Sequence, residues 1–493
     1  MNSSIKKLMG QTATYGLSSI VGRLLNYLLV PLYTSSAVFS NPSDYGVVSE
    51  LYAWVAFLII FLSFGMETAF FRFIQQGEDK DKLFSNSFLT VLGINVFFYL
   101  GLLFFNNELA ALMLYEGHNE YIVLLGAIVC IDAIGTIPMA RLRAEEKAFR
   151  FTMIQLSSIG VNIALNLILL LGFFDPSRPE EGVLFILIAN LCASLLKIIL
   201  VYDIIAKVIF KIDQLLVKNI MRYSFPLVIG GLAGIVNETI DRILLKQVLY
   251  DPLLPGSLDA AEAEVGIYSA CYKLAMLITI FLQAYRYAAE PFFFDQLKNE
   301  DRNKVYSTIM NLFIAAVCFV FLAVSINLSL FKFFIRTEAY WEGLKVVPIL
   351  LMANVFLGIY YNQSIWYKLS GKTKFGAYIA LIGALFTVVI NILFIPEYGF
   401  MACAWATLIV YALQMVISYF LGQKHYKIPY SIKKFSAYVG GAIALFLLFT
   451  FTRVFFKLEL EDTSLPLLIF GNTLILLYLL LIFKAERGLF RRG

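Results

Sequence analysis

The chain has 493 residues, is 60% hydrophobic and 15% charged, and has a mean hydropathy of +0.79. No water-soluble core needs so much apolar side chain, so the composition excludes the soluble globular and disordered classes and points to a membrane protein. The formal net charge of +5 is spread over short loops, which excludes a nucleic-acid footprint.

In chain order the sequence breaks into about fourteen apolar spans, each near the 20 residues that cross a bilayer core. They are 11–33, 44–66, 83–105, 120–140, 152–173, 181–202, 224–249, 266–289, 305–328, 343–367, 375–396, 399–422, 434–456 and 464–484. The span length predicts helices, because barrel strands would be about ten residues with alternating polarity. Turn formers punctuate the spans, as in Asn41-Pro42-Ser43-Asp44 and Asp175-Pro176-Ser177-Arg178-Pro179. Lys6 and Lys7 before an apolar run resemble the start of a signal peptide. The run from Gln11 to Tyr33 is too long for one, carries Arg23 at its middle and lacks a small-x-small cleavage site. It is therefore expected to stay as the first span. No loop exceeds roughly 20 residues, so no separate extramembrane domain is expected.

The loops alternate between basic and nearly charge-free. The basic set lies at Lys6/Lys7, Arg72 to Lys82, Arg141 to Arg150, Lys207 to Arg222, Arg286 to Lys304, Lys368 to Lys374, Lys424 to Lys434 and Lys484 to Arg492. It holds 28 of the 39 lysines and arginines. The opposite loops hold five: Arg178, Lys332, Arg336, Arg453 and Lys457. The positive-inside rule then predicts cytoplasmic termini and an even number of crossings. The five cysteines fall in apolar spans with no close pair, and read as small core residues. His118 and His425 are far apart in sequence, so no metal site is expected.

Internal repetition appears next. Tyr45-Gly46-Val47-Val48-Ser49-Glu50-Leu51-Tyr52 and Val265-Gly266-Ile267-Tyr268-Ser269-Ala270-Cys271-Tyr272 share Gly, Ser and Tyr at identical spacing, 220 residues apart. Leu165-Asn166-Leu167-Ile168 pairs with Ile390-Asn391-Ile392-Leu393 in the same way. Two copies of six spans in one orientation follow, related by an axis along the membrane normal. The expected division is 1–215 for the first lobe, 216–430 for the second, and 431–493 for two added helices and a tail.

A charge at mid-bilayer costs about 2.5–3.5 kcal/mol, so each should face protein or a water-filled cavity. Lys197 and Lys345 lie near span ends and can snorkel. Arg23 sits at the centre of span 1. Span 7 carries Asn237, Glu238, Asp241, Arg242 and Lys246, with Glu238, Arg242 and Lys246 on one helical stripe. Lys273 lies about two turns into span 8, and Asp132 lies mid-span in span 4. Glu238 and Arg242 can neutralise one another and pin the helix. Counted together, Arg23, Arg242, Lys246 and Lys273 outnumber Asp132, Glu238 and Asp241, which suits a cavity for an anion such as a phosphate or acidic sugar. Tyr268 and Tyr272 offer rings that can stack on sugars. Asp132 reads either as a hydrogen-bonded polar residue or as a site coupling transport to a proton or cation gradient. Glu67, close to Arg72, reads as a local pair or a gate.

The string Asn237-Glu238-Thr239-Ile240-Asp241-Arg242, followed by Gly266-Ile267-Tyr268 and Lys273, resembles the polysaccharide biosynthesis flippases. So do Asp44-Tyr45-Gly46 with Phe64-Gly65-Met66, and Ile390-Asn391-Ile392 with Tyr398-Gly399. These are exporters of O-antigen and capsule oligosaccharide-lipids, in a superfamily with the multidrug and toxin extruders and the lipid II flippases. The resemblance runs along spans 1–12 and weakens after them. It implies an all-α membrane fold of two six-helix lobes around a central cavity, working by alternating access in a bacterial inner membrane. It also implies an undecaprenyl-pyrophosphate-linked oligosaccharide as substrate, with Arg23, Arg242 and Lys273 meeting the pyrophosphate or acidic sugar. Glycosyltransferases or a polysaccharide polymerase are the protein partners it suggests, and no nucleic acid is expected. No family motif covers Asp132, so its coupling role rests on burial alone, beside Glu238, Asp241 and Glu67.

Two other classes compete. A proton- or cation-coupled antiporter of drugs or small metabolites on the same fold would want an acidic cavity. A membrane glycosyltransferase or polymerase generally needs a sizeable outward loop or an acidic pair at a span end. The longest outward loop here, Tyr250 to Val265, is short and has neither His nor Cys, so no enzyme is expected.

Overall fold

The computed structural model describes residues 21–22, 24–25, 27–296, 300–458 and 464–486, with the side chains of 287, 288, 290, 291, 294 and 295 left aside. The chain is all-helical, and thirteen helical stretches among the described residues are long and apolar enough to cross a membrane. The expected first span, 11–33, falls largely outside the described residues, and Arg23 with it.

The helices are α1 (Pro42–Ser63), α2 (Met66–Gln75), α3 (Lys80–Phe104), α4 (Asn119–Ala144), α5 (Ala148–Gly172), α6 (Pro179–Leu200) and α7 (Gln214–Leu249). Then come α8 (Ser257–Asp295), α9 (Arg302–Ile326), α10 (Val347–Gln363), α11 (Lys374–Tyr398), α12 (Phe400–His425), α13 (Ile432–Phe455) and α14 (Leu465–Ala485). Four of them start at a short polar side chain that caps the first turn. Asn41, Asp79, Asp213 and Ser431 each accept a hydrogen bond from a backbone N–H of the first turn, which lipid would leave unsatisfied. Pro42, Pro179 and Pro348 sit at first turns, where the missing donor costs nothing.

The second span differs from its expected extent, 44–66. It runs on to Gln75 across a left-handed break at Phe64 (φ 51°) and Gly65 (φ 63°). A Cβ on Gly65 would lie 3.2 Å from the Leu227 side chain and 3.4 Å from the Ser224 carbonyl, so the break lets α7 approach closely.

By Cα packing the chain divides into two compact units, Met1–Gly266 and Ile267–Gly493. This packing boundary falls inside α8, and α7 packs within the first unit against α1, α2 and α3. In the first unit α4 is the central element, touching α1, α3 and α6. Its apolar window is 61% buried, against 22% for the peripheral α5, so α5 offers most of its surface to lipid. Toward the basic loops Phe70, Phe84, Leu142, Ile204 and Ile220 pack into one apolar cluster. Lipid supplies no hydrophobic drive between helices, so polar pins matter. The Ser158 hydroxyl donates to the Ala193 carbonyl at 2.8 Å, and the Tyr33 hydroxyl to Asn166 at 2.8 Å.

In the second unit α10 is central, packed between α9 and α12, with α11 on α12. The added helices α13 and α14 pack on α9 and on each other. Asn391, the counterpart of Asn166 in the repeated strings, is likewise fully buried.

Candidate functional site

The charges of the apolar interior are the candidate site, and their partners come from distant parts of the sequence. The largest cluster surrounds Lys246 near the end of α7. Its side chain is fully buried, and its ammonium lies 3.0 Å from Glu50 of α1 and 2.9 Å from Glu262 of α8. It also donates to the Met113 carbonyl at 3.2 Å and stands 3.5 Å above the Tyr115 ring. Glu50 is fully buried as well. It accepts from the Tyr115 hydroxyl at 2.6 Å and from the Trp54 indole at 3.2 Å. Burial first, then the Glu50 charge, hold the Tyr115 phenol well above its ordinary range, so it stays a donor. A buried charge needs such saturation, because the interior otherwise repays too little of its lost hydration.

Lys246, expected on one stripe with Glu238 and Arg242, is thus paired with carboxylates of two other helices. One turn back, Arg242 is buried and donates to the Asp241 carboxylate at 2.9 Å and to the Glu238 backbone carbonyl at 2.9 Å. The Glu238 side chain is exposed. The carboxylate that answers Arg242 is thus its neighbour Asp241, not the i−4 Glu238 that helical spacing suggests.

Asp132 of α4 bonds Lys197 of α6 at 2.6 Å, both about a quarter exposed. Lys197 does not snorkel to a surface; it reaches sideways to a carboxylate on the next helix. Close by, the Asn190 amide donates to the Tyr52 hydroxyl at 3.2 Å. Glu67 of α2 pairs with Arg143 of α4, not with Arg72. Arg72 lies over the Tyr223 ring, 4.3 Å from its centroid. In the second unit, Tyr268 and Tyr272 are both buried, their rings 5.9 Å apart and tilted by 55°. Lys273 is half-buried beside them in sequence.

The reading from sequence overlooked Glu50 and Glu262. Glu50 is quoted only as part of a repeated string, and Glu262 falls in an apparent loop because α8 starts at Ser257, nine residues before the expected span. Once both are counted with Asp132, Glu238 and Asp241, the described interior charges are no longer basic overall. The signal that could have found Glu262 is the run Leu258 to Val265, where Asp259 and Glu262 lie three residues apart and no Gly or Pro interrupts a helix.

The family model for polysaccharide biosynthesis proteins matches residues 8–296, more than half of the chain. The chain belongs to this family. Two relatives from Haemophilus influenzae agree in extent. An uncharacterized membrane protein is 23% identical over 295 residues, covering 59% of this chain and 66% of that protein. Lsg locus putative protein 1 is 21% identical over 300 residues, covering 60% of this chain and 68% of that protein. Among solved structures, the lipid II flippase MurJ in an inward closed conformation has a similar fold. The TM-score is 0.72 at 16% identity, over 96% of this chain and 99% of that one. An inward-facing multidrug resistance MATE family transporter of the MOP superfamily gives a TM-score of 0.63 at 16% identity, over 82% of this chain and 94% of that one. This family member is thus an all-helical, multi-pass membrane protein whose fold is shared with the lipid II flippase and the MATE transporter.

Proposed function

We propose that this protein is a transporter, and specifically a flippase. It turns an undecaprenyl-pyrophosphate-linked oligosaccharide from the cytoplasmic to the outer leaflet of a bacterial inner membrane, for O-antigen or capsule assembly. The observation that carries the reading is the extent of the fold likeness. It takes in 96% of this chain and 99% of a lipid II flippase, against 82% of this chain for the multidrug transporter. The added pair α13 and α14 is largely unburied by the rest of the protein, and a membrane-facing pair of helices suits a substrate whose polyprenyl tail stays in lipid.

The charged head group then needs cationic contacts. Arg242 and Lys273, with Arg23 of the first span, are the residues proposed to meet pyrophosphate or acidic sugar. Tyr268 and Tyr272 are the proposed ring contacts, in a state where α8 exposes them. Lys246 is already held by two carboxylates, so it takes substrate only if that cluster parts. The orientation proposed, with both termini cytoplasmic, rests on the alternation of loop charge. Lobe rocking changes the leaflet that the site faces and needs no covalent step.

A gradient-coupled antiporter of small molecules is the second reading. The interior carboxylates Glu50, Asp132 and Glu262 favour it. One experiment separates the two. The gene is deleted, polyprenyl-linked intermediates are assigned to leaflets, and surface glycan is measured. Complete lipid-linked oligosaccharide stranded on the cytoplasmic face, with surface glycan lost, supports the flippase. Unchanged intermediates and intact glycan overturn it and favour the antiporter.

A further inference from the structure

The repeated strings meet in space. Gly46 of α1 and Gly266 of α8 face each other backbone to backbone. A Cβ on Gly46 would fall 1.9 Å from the Glu262 carbonyl oxygen, and a Cβ on Gly266 would fall 1.9 Å from the Pro42 carbonyl oxygen. Each glycine thus abuts the carbonyl four residues before the other, as equivalent positions must at a two-fold crossing. Only hydrogen fits on either side. Such a seam is flat, closed to water, and free of interlocked side chains that would resist separation.

Side chains hold the seam shut from its flanks. Glu50 lies one turn after Gly46 and Glu262 one turn before Gly266, and both bond the same ammonium, Lys246. Met113 and Tyr115, from the connection between α3 and α4, close over it. The flanking connections 34–41, 105–118 and 250–256 contain no Lys or Arg, so the cluster lies at the charge-poor end of these helices.

We propose that Glu50, Lys246 and Glu262 form an ion lock. It keeps the transport path shut at the charge-poor end, with the Gly46–Gly266 crossing as its seal, and it parts once in each transport cycle. This rests on the transporter reading, since a purely structural cluster would never open. The lock makes Lys246 a positioning residue in the closed state. Two carboxylates on one lysine give it strength without a matched pair that would trap it, since each acid retains the lysine when the other leaves.

The test is thiol accessibility. Ser269 is 2% exposed and lies one turn beyond Gly266. A Ser269→Cys protein, with the five native cysteines replaced by Ala, is labelled in intact cells with a membrane-impermeant maleimide. Slow labelling is expected with the lock intact. Glu262→Gln and Lys246→Gln should each raise the rate at least tenfold, and so should Gly266→Ala, which leaves every charge in place. Glu262→Gln keeps a hydrogen-bonding side chain at a partly exposed position, so it serves where Lys246→Gln fails to accumulate. Rates equal to the parent in Glu262→Gln and Gly266→Ala, at normal protein levels, overturn the lock. Faster labelling in these variants, with glycan intermediates unaltered when the gene is deleted, would support the lock and reject the oligosaccharide substrate, so the two readings fail separately.

Discussion

Lys197 and Asp132 form a 2.6 Å ion pair that joins α6 to α4 across 65 residues of sequence. Each side chain is about a quarter exposed, so water reaches the pair without dissolving it. The pair neutralises a carboxylate that burial alone would mark as a coupling site. Asp132→Asn should leave Lys197 without its partner, cost about 1–3 kcal/mol after discounting for exposure, and lower the melting temperature in detergent. The exchange Asp132→Lys with Lys197→Asp should recover most of that loss. If the exchanged protein is stable but export is lost, Asp132 does more than neutralise Lys197, and a gradient-coupling role regains force.

Arg242 is the residue on which the proposed anion contact stands. Arg242→Ala should reduce surface glycan at least tenfold while the protein still inserts at normal levels. Because it also strips Asp241 of a 2.9 Å partner, some instability accompanies it. Arg242→Lys, which keeps the charge, should retain part of the export. Normal glycan with Arg242→Ala would remove this side chain from the site.

Gly65 sets the break between α1 and α2. With φ at 63° and Leu227 only 3.2 Å from an added Cβ, Gly65→Ala combines backbone strain with a contact that must give way. A loss of about 1–3 kcal/mol is expected, read as a lower melting temperature. Gly93→Ala is the control, since a Cβ there meets open space and replaces glycine within α3. Equal melting temperatures for both variants would show that the break is not constrained.

Asp213 caps α7 at its basic end. It accepts from the Leu216 N–H at 3.0 Å and pairs with Lys82 at 2.6 Å. The Lys82 hydrogen bond first, then the Leu216 N–H, hold its carboxyl below the ordinary carboxylate range. A depressed folded-state pKa contributes stability above the ordinary carboxyl pKa, and that stability is lost as pH falls through the lower folded value. Asp213→Ala should therefore melt earlier than the parent at neutral pH, with the gap narrowing in strong acid. A gap independent of pH would assign the effect to packing instead of charge.

How much of the site was legible varies with the residue. The Gly46 and Gly266 strings are legible as a repeat because Gly, Ser and Tyr recur at identical spacing, and the structure gives a reason for the glycines, since a Cβ on either would fall 1.9 Å from a backbone carbonyl oxygen. Arg242 and Asp132 stood out because a charge in an apolar run is costly. Their partners did not. Lys246 to Glu50 spans 196 positions, and Arg143 to Glu67 spans 76. Nothing in local spacing connects them, since helical periodicity ranks neighbours on one helix and is silent about the next. That is why spacing pointed to Glu238 for Arg242 and to Arg72 for Glu67.

Sequence by itself determined the class, the number and approximate limits of the described spans, and their helical nature. Those follow from hydropathy and length, which depend on the solvent each residue faces and not on its neighbours. The repeat was visible for the same reason, being a pattern along one dimension. Only the tertiary structure decided which charges meet. That depends on the rotation and depth of each helix against others, which are set by packing around small residues such as Gly46, Gly65 and Gly266. It placed Lys246 at the centre of a buried ion cluster, and gave Lys197 a partner that its position in the chain does not suggest.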